Sequence, residues 1–184
     1  MRCMRVFIAI ELEEGIRNYL IDQQRIIRKN SKKGNFTRRE NLHLTLRFIG
    51  EIDRNDIQRI ESAMEEAVEK KDLFYMKLGA MGEFPRGNKR ILWIGISEGL
   101  QSLKDLFERL EAALEKRGFS REAKGLTPHI TLGREVVLEK DTVDLARELD
   151  TVPKAIKVAK ISLMESTRIN SVLQYVPIFV KELK

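Results

Sequence analysis

The sequence predicts an α+β fold. Seven apolar segments of strand character mix with four helical patterns, and they do so without the regular beat of βαβ units. The chain also repeats itself at a shift of 86 residues, the distance from His43 to His129. A molecule of two similar lobes follows.

The elements read in order as follows. Residues 4–10 form a strand. A helix over 13–29 turns Ile16, Leu20 and Ile27 inward. A strand over 42–49 leads to Asp53, an N-cap for a helix carrying Ile57, Ile60, Met64 and Ala67. Strands over 73–79 and 90–96 flank residues 79–90, whose Gly79, Gly82, Pro85 and Gly87 read as a connecting loop. Leu100, Leu103, Phe107, Leu110 and Leu114 line one face of a third helix, and Gly118 supplies its left-handed cap. A strand over 129–134, a short helix over 141–149 and strands over 156–164 and 172–180 complete the chain. Pro177 removes a ladder donor, which predicts a sheet edge for the last strand.

At the 86-residue shift, Phe7-Ile8-Ala9-Ile10 falls on Trp93-Ile94-Gly95-Ile96, His43 on His129, Thr45 on Thr131 and Leu46 on Leu132. One domain built from two similar lobes is expected, about residues 6–78 and 92–164, joined by the 79–90 loop. A pseudo-twofold axis between them sets equivalent residues face to face across a central cleft.

Composition narrows the class. The 184 residues are 42% hydrophobic and 34% charged, enough for a core and too apolar for disorder. The longest apolar runs, such as 91–96, fall far short of the roughly 20 residues that span a bilayer. The apolar stretch from Val6 stops at Glu11, too soon for a signal-peptide core. A soluble, cytoplasmic protein without membrane partners is expected. The single Cys3 excludes an internal disulfide framework and a cysteine-rich zinc site. A net charge of +6 suits an anionic partner, and abundant Lys, Arg and Glu with five Gln resembles a heat-adapted chain. From Arg25 to Arg39, seven basic and no acidic residues lead into the His43 strand, a segment suited to drawing in an RNA backbone.

The chain has two histidines, and each opens the pattern His-apolar-Thr-Leu: His43-Leu44-Thr45-Leu46 and His129-Ile130-Thr131-Leu132. In a strand, residues i and i+2 share a side, so each half offers one imidazole and one hydroxyl on a single face. Two imidazoles can divide acid and base work near neutrality, and a hydroxyl beside each can donate to a phosphoryl oxygen. A metal site needs more ligands than these motifs supply, so no metal is expected. Arg47 alternates with Thr45 and is expected on its face as a second phosphate contact; Phe7 and Trp93 are expected in the core.

These residues resemble the two-histidine phosphoesterase superfamily, and within it the RNA 2′,3′-cyclic phosphodiesterases, historically called 2′-5′ RNA ligases. The resemblance rests on the Phe7-Ile-Ala start, His43-Leu-Thr-Leu-Arg-Phe-Ile-Gly50, Arg90-Ile-Leu-Trp93, Thr127-Pro-His-Ile-Thr-Leu-Gly-Arg134, and Leu163-Met-Glu-Ser166 followed by Tyr175. It implies a bilobal α+β fold, each lobe an antiparallel sheet backed by helices and both motifs lining the groove between them, and metal-independent hydrolysis of a ribose 2′,3′-cyclic phosphate to a 2′-phosphomonoester, with no cofactor. It implies catalytic roles for His43, Thr45, His129 and Thr131, a phosphate contact at Arg134, and a base-stacking aromatic at Phe48. RNA ends or small cyclic-phosphate nucleotides are the implied partners of a monomer. The pseudo-symmetry leaves acid and base open, with His129 the favoured base. Reversible 2′-5′ ligation and a noncatalytic RNA-binding module are the alternatives.

Overall fold

A computed structural model describes residues 3–149 and 152–184. Its strands are β1 (Met4–Glu11), β2 (Ser31–Phe36), β3 (His43–Ile52), β4 (Phe74–Arg86), β5 (Lys89–Glu98), β6 (His129–Leu138), β7 (Ala155–Val158), β8 (Lys160–Ile169) and β9 (Val172–Glu182). Its helices are α1 (Glu14–Lys29), α2 (Arg54–Val68), α3 (Leu100–Glu115) and α4 (Thr142–Glu148). The strands make two antiparallel sheets, ordered β3-β1-β8-β9 and β2-β6-β5-β4-β7. The α+β class, and the edge position of β9 with its Pro177, are as the sequence predicts.

Local signals explain the helices. Asp53 and Asp56 form a reciprocal capping box at the start of α2. The Asp141 carboxylate accepts the Val143 N–H at 2.7 Å at the start of α4. Gly118, at φ +85°, closes the turn after α3. The apolar faces of α1, α2 and α3 join the inner faces of both sheets in one continuous core, with Leu20, Ile60, Leu106, Ile8, Leu44 and Leu132 all fully or almost fully buried. At roughly 25 cal/mol per Å² of buried apolar area, this common core dominates the stability of the fold.

Three expectations about the strands are corrected. Residues 79–90 are a β-hairpin and not a loop: β4 runs to Arg86, and only residues 87–88 form the turn. Its glycines mark close approaches within strands. A Cβ on Gly82 would lie 2.2 Å from the Trp93 ring, and one on Gly79 would lie 3.2 Å from the backbone of β5. Residues 31–36, inside the basic run, form β2 and pair with β6. The strand expected over 156–164 is two strands, β7 and β8, which join different sheets.

That division also redraws the lobes. β1 and β3, from the first half of the chain, share a sheet with β8 and β9 from the second, joined through the β1–β8 pairing. β4, from the first half, lies between β5 and β7. Each sheet therefore takes strands from both halves, and neither sheet is built from residues 6–78 or 92–164 alone.

Candidate active site

β3 and β6 each begin with a histidine, and β3, at the edge of its sheet, packs beside β6 of the other. The two imidazoles are anchored alike. His43 Nδ1 lies 2.6 Å from the Asn41 carbonyl oxygen, and His129 Nδ1 lies 2.6 Å from that of Thr127. A carbonyl only accepts, so both Nδ1 atoms carry the proton and both Nε2 atoms are left for chemistry. The Thr45 hydroxyl is 2.9 Å from His43 Nε2 and donates to it while the ring is neutral.

Aromatic rings flank each imidazole. Phe7 and Tyr175 stand 4.9 and 5.1 Å from the His43 ring; Phe84 and Trp93 stand 5.2 and 5.9 Å from His129. Phe7 is buried, but in a separate cluster with Ala9 and Met164, and it lines the cleft. Phe7 and Trp93 thus serve as walls for the histidines rather than as members of the main core. Asn41, which sequence reasoning missed, is buried and fixes the approach to His43: its amide donates to the Leu173 carbonyl at 3.0 Å and accepts the Tyr175 N–H at 3.1 Å. Its position two residues before the histidine was the available signal.

Burial holds the His43 pKa below its ordinary value, and positive charge on Arg134, His129 and Arg17 acts in the same direction against the opposing Asn41 carbonyl.

A cleft of about 650 Å³ opens beside His43. Its walls include His43, Thr45, Phe48, Tyr175 and three arginines, Arg5, Arg134 and Arg168; among the described residues no carboxylate lines it. His129 and Thr131 stand next to this cavity rather than in its lining. Among the described residues Arg134 forms no ion pair, and its guanidinium is exposed. Such a cleft attracts anions, and a free guanidinium offers paired donors to a phosphate.

Matching β-bulges decide which residues reach this cleft. In β3, Thr45 lies opposite Ala9 but Arg47 lies opposite Ile8, so Leu46 is the extra residue. Phe48 then falls opposite Phe7 and shares the face of Thr45 and His43. In β6, Thr131 pairs with Trp93 and Gly133 with Leu92, which makes Leu132 the extra residue and returns Arg134 to the cleft face. Phe48 and Arg134 hold equivalent places, each two residues past the extra residue of its bulge.

The expectation for Arg47 is corrected by the same geometry. Its side chain leaves the face of Thr45 and pairs at 2.6 Å with Glu111 of α3, whose side chain is only 2% exposed. It also donates to the carbonyl of Ser120. The basic run is likewise less open than its letters suggest, because Arg25, Arg38 and Arg39 pair with Asp22, Glu40 and Glu14.

A family model described as the 2′-5′ RNA ligase superfamily matches residues 13–170. The chain belongs to this superfamily. A Thermotoga maritima protein named RNA 2′,3′-cyclic phosphodiesterase is 33% identical over 168 residues, which cover 89% of this chain and 87% of the relative. A Methanothermobacter thermautotrophicus protein of the same name is 29% identical over 167 residues, covering 89% and 90%. The crystal structure of E. coli LigT complexed with 3′-AMP shares the fold with a TM-score of 0.77 at 22% identity, over 99% of both chains. The superfamily match takes in both His-x-Thr motifs and both bulges, but leaves β1 and β9, with Arg5, Phe7 and Tyr175, outside it.

Proposed function

We propose that this protein is an RNA 2′,3′-cyclic phosphodiesterase that opens the terminal cyclic phosphate to a 2′-phosphomonoester without a metal. One observation carries the reading: two His-x-Thr motifs with identically anchored imidazoles open the neighbouring strands β3 and β6, and the cleft that His43, Thr45 and the unpaired Arg134 line holds no carboxylate among the described residues. The superfamily and the names of its relatives point the same way. Among the described residues no three His, Cys, Asp or Glu side chains converge, and no helix is long and apolar enough to cross a membrane. We read the protein as a cytoplasmic monomer, and the two halves as a duplication that has exchanged strands.

The chemistry divides between the two Nε2 atoms. One takes a proton from water as its oxygen attacks phosphorus. The other gives a proton to the ribose 3′ oxygen as the P–O3′ bond breaks, leaving a 2′-phosphate and a 3′-hydroxyl. The base must be neutral before reaction, and burial together with nearby positive charge favours neutral His43. We therefore assign His43 as base and His129 as acid, the reverse of the assignment favoured by sequence alone. Thr45, Thr131 and Arg134 stabilise the charge that builds on the phosphoryl oxygens. Phe48, 44% exposed at the cleft, offers its ring to the terminal base.

The test is an oligoribonucleotide ending in a 2′,3′-cyclic phosphate, incubated with EDTA. Turnover is expected, falling at least about 10²-fold in His43→Ala and in His129→Ala. A bell-shaped pH profile is expected. Its acid limb reports deprotonation of His43, so its midpoint lies below 6.5, and Arg134→Gln moves it upward by removing a depressing charge. Undiminished turnover in both histidine variants overturns the mechanism. Binding without turnover by the intact protein favours an RNA-binding module, and joining of added 5′-hydroxyl ends faster than hydrolysis favours a ligase.

A further inference from the structure

We propose that Arg5 and Arg168 bind the internucleotide phosphates upstream of the reacting end, so that this cleft selects the end of an RNA chain over a mononucleotide. The inference rests on the phosphodiesterase reading above and extends it to substrate class.

Both arginines line the same cleft as His43 and Arg134. Their order follows from register. Phe7 of β1, whose ring stands against His43, pairs with Met164 of β8. Arg5 lies two residues from Phe7 on the same face of β1, and Arg168 lies four residues from Met164 on the same face of β8. At about 3.3 Å per residue, Arg5 is offset by roughly 7 Å and Arg168 by roughly 13 Å along the strands from the level of Phe7 and Met164, on the side away from Glu11, the ladder partner of His43. The two guanidiniums thus form a graded series leading away from His43 along one sheet face.

Neither forms an ion pair with a carboxylate among the described residues, although Glu51 lies opposite Arg5 in the ladder. Arg5 sits over the Phe48 ring, 5.0 Å from its centroid. Arg168 spends one donor on the Ser171 carbonyl at 2.9 Å, which holds it to the β8–β9 turn and leaves its other N–H groups unspent. Three arginines in one cleft with no acidic partner repel one another, an arrangement favoured only once several negative charges enter. The reacting phosphate answers Arg134. A nucleoside cyclic phosphate carries no second anion, whereas a chain end carries one phosphate on the 5′ side of the terminal nucleoside and another beyond it. Arg5 takes the first and Arg168 the second.

The experiment compares kcat/KM for three substrates in the intact protein: adenosine 2′,3′-cyclic phosphate, the same nucleotide with a 5′-phosphate, and a pentanucleotide ending in a cyclic phosphate. The 5′-phosphate is expected to raise kcat/KM about tenfold, and the pentanucleotide about tenfold more through the one further phosphate that Arg168 reaches. Arg5→Ala removes the gain from the 5′-phosphate. Arg168→Ala spares that gain and removes the further one shown by the pentanucleotide. Each loss flattens the salt dependence of pentanucleotide kcat/KM, its logarithm against that of salt, by about 0.7. In both variants the ratio of pentanucleotide kcat/KM to that of the unphosphorylated cyclic nucleotide falls, while the urea unfolding midpoint stays at that of the intact protein, which shows that they fold. Equal rates on all three substrates, or variants that slow all three alike, overturn this inference while leaving the phosphodiesterase reading intact. Failure of the intact protein on every substrate overturns that reading instead.

Discussion

Arg47 and Phe48 are adjacent, and one extra residue in the strand gives them opposite fates. Simple alternation puts Arg47 beside Thr45, but the bulge at Leu46 turns it towards α3, where it neutralises the buried Glu111. Its role is therefore in stability. Arg47→Met leaves the Glu111 carboxylate unpaired in a dry site, with the Glu122 N–H at 2.6 Å as its remaining hydrogen-bond donor. The expected cost is about 3 kcal/mol in urea unfolding, with turnover little changed at temperatures where the variant is folded. Turnover weakened by about two orders of magnitude in the folded variant, the scale of a lost catalytic group, would restore Arg47 to the site. The residue scale also fixes the imidazoles, because one carbonyl two positions upstream sets the tautomer of each.

At the scale of elements, buried polar groups on the helices hold the bulges that shape the cleft. The Gln24 amide of α1 donates to the carbonyls of Thr37 and Leu132, both at 2.8 Å, and Leu132 is the extra residue of the β6 bulge. Glu111 of α3 holds Arg47, one step past the β3 bulge. The β4–β5 hairpin does comparable work for His129. Gly82 and Gly95 leave a slot in which the Trp93 indole lies, with Phe84 beside it and the indole N–H buried without a hydrogen-bond partner among the described residues. Gly82→Ala places a methyl group where the indole now lies, so the ring must move. We expect weaker turnover, because the wall of His129 shifts, and a changed emission from Trp93, the one tryptophan of the chain. Unchanged emission with unchanged turnover would show that the slot is not needed.

At the scale of the molecule, both sheets are woven from both halves of the chain, so the halves depend on each other for folding. A break at the 87–88 turn leaves β2 and β4 without β6, β5 and β7, and leaves β8 without β1. Residues 1–87 and 88–184, expressed apart, are expected to lack cooperative unfolding. Mixed or co-expressed, they are expected to recover strand signal and activity together, since the shared core closes only when both are present. Independent cooperative folding of either piece would mean that the exchanged strands are dispensable.

The sequence by itself determined the class, the four helices, the edge strand with Pro177 and the two His-x-Thr pairs, because each follows from short-range chemistry: a cap, a period of apolar residues, a missing N–H, or an i, i+2 spacing. It carried the equivalence of the two motifs as well, since that lies in the order of the letters. Tertiary structure alone decided what depends on partners distant in the chain. The bulges that exchange Arg47 for Phe48, the slot glycines that resembled a loop, and the split of residues 155–169 between two sheets all arise from pairing across strands. The neutral bias of His43 has the same origin: charge and burial at one ring come from residues far along the chain, and only the folded chain sets those distances.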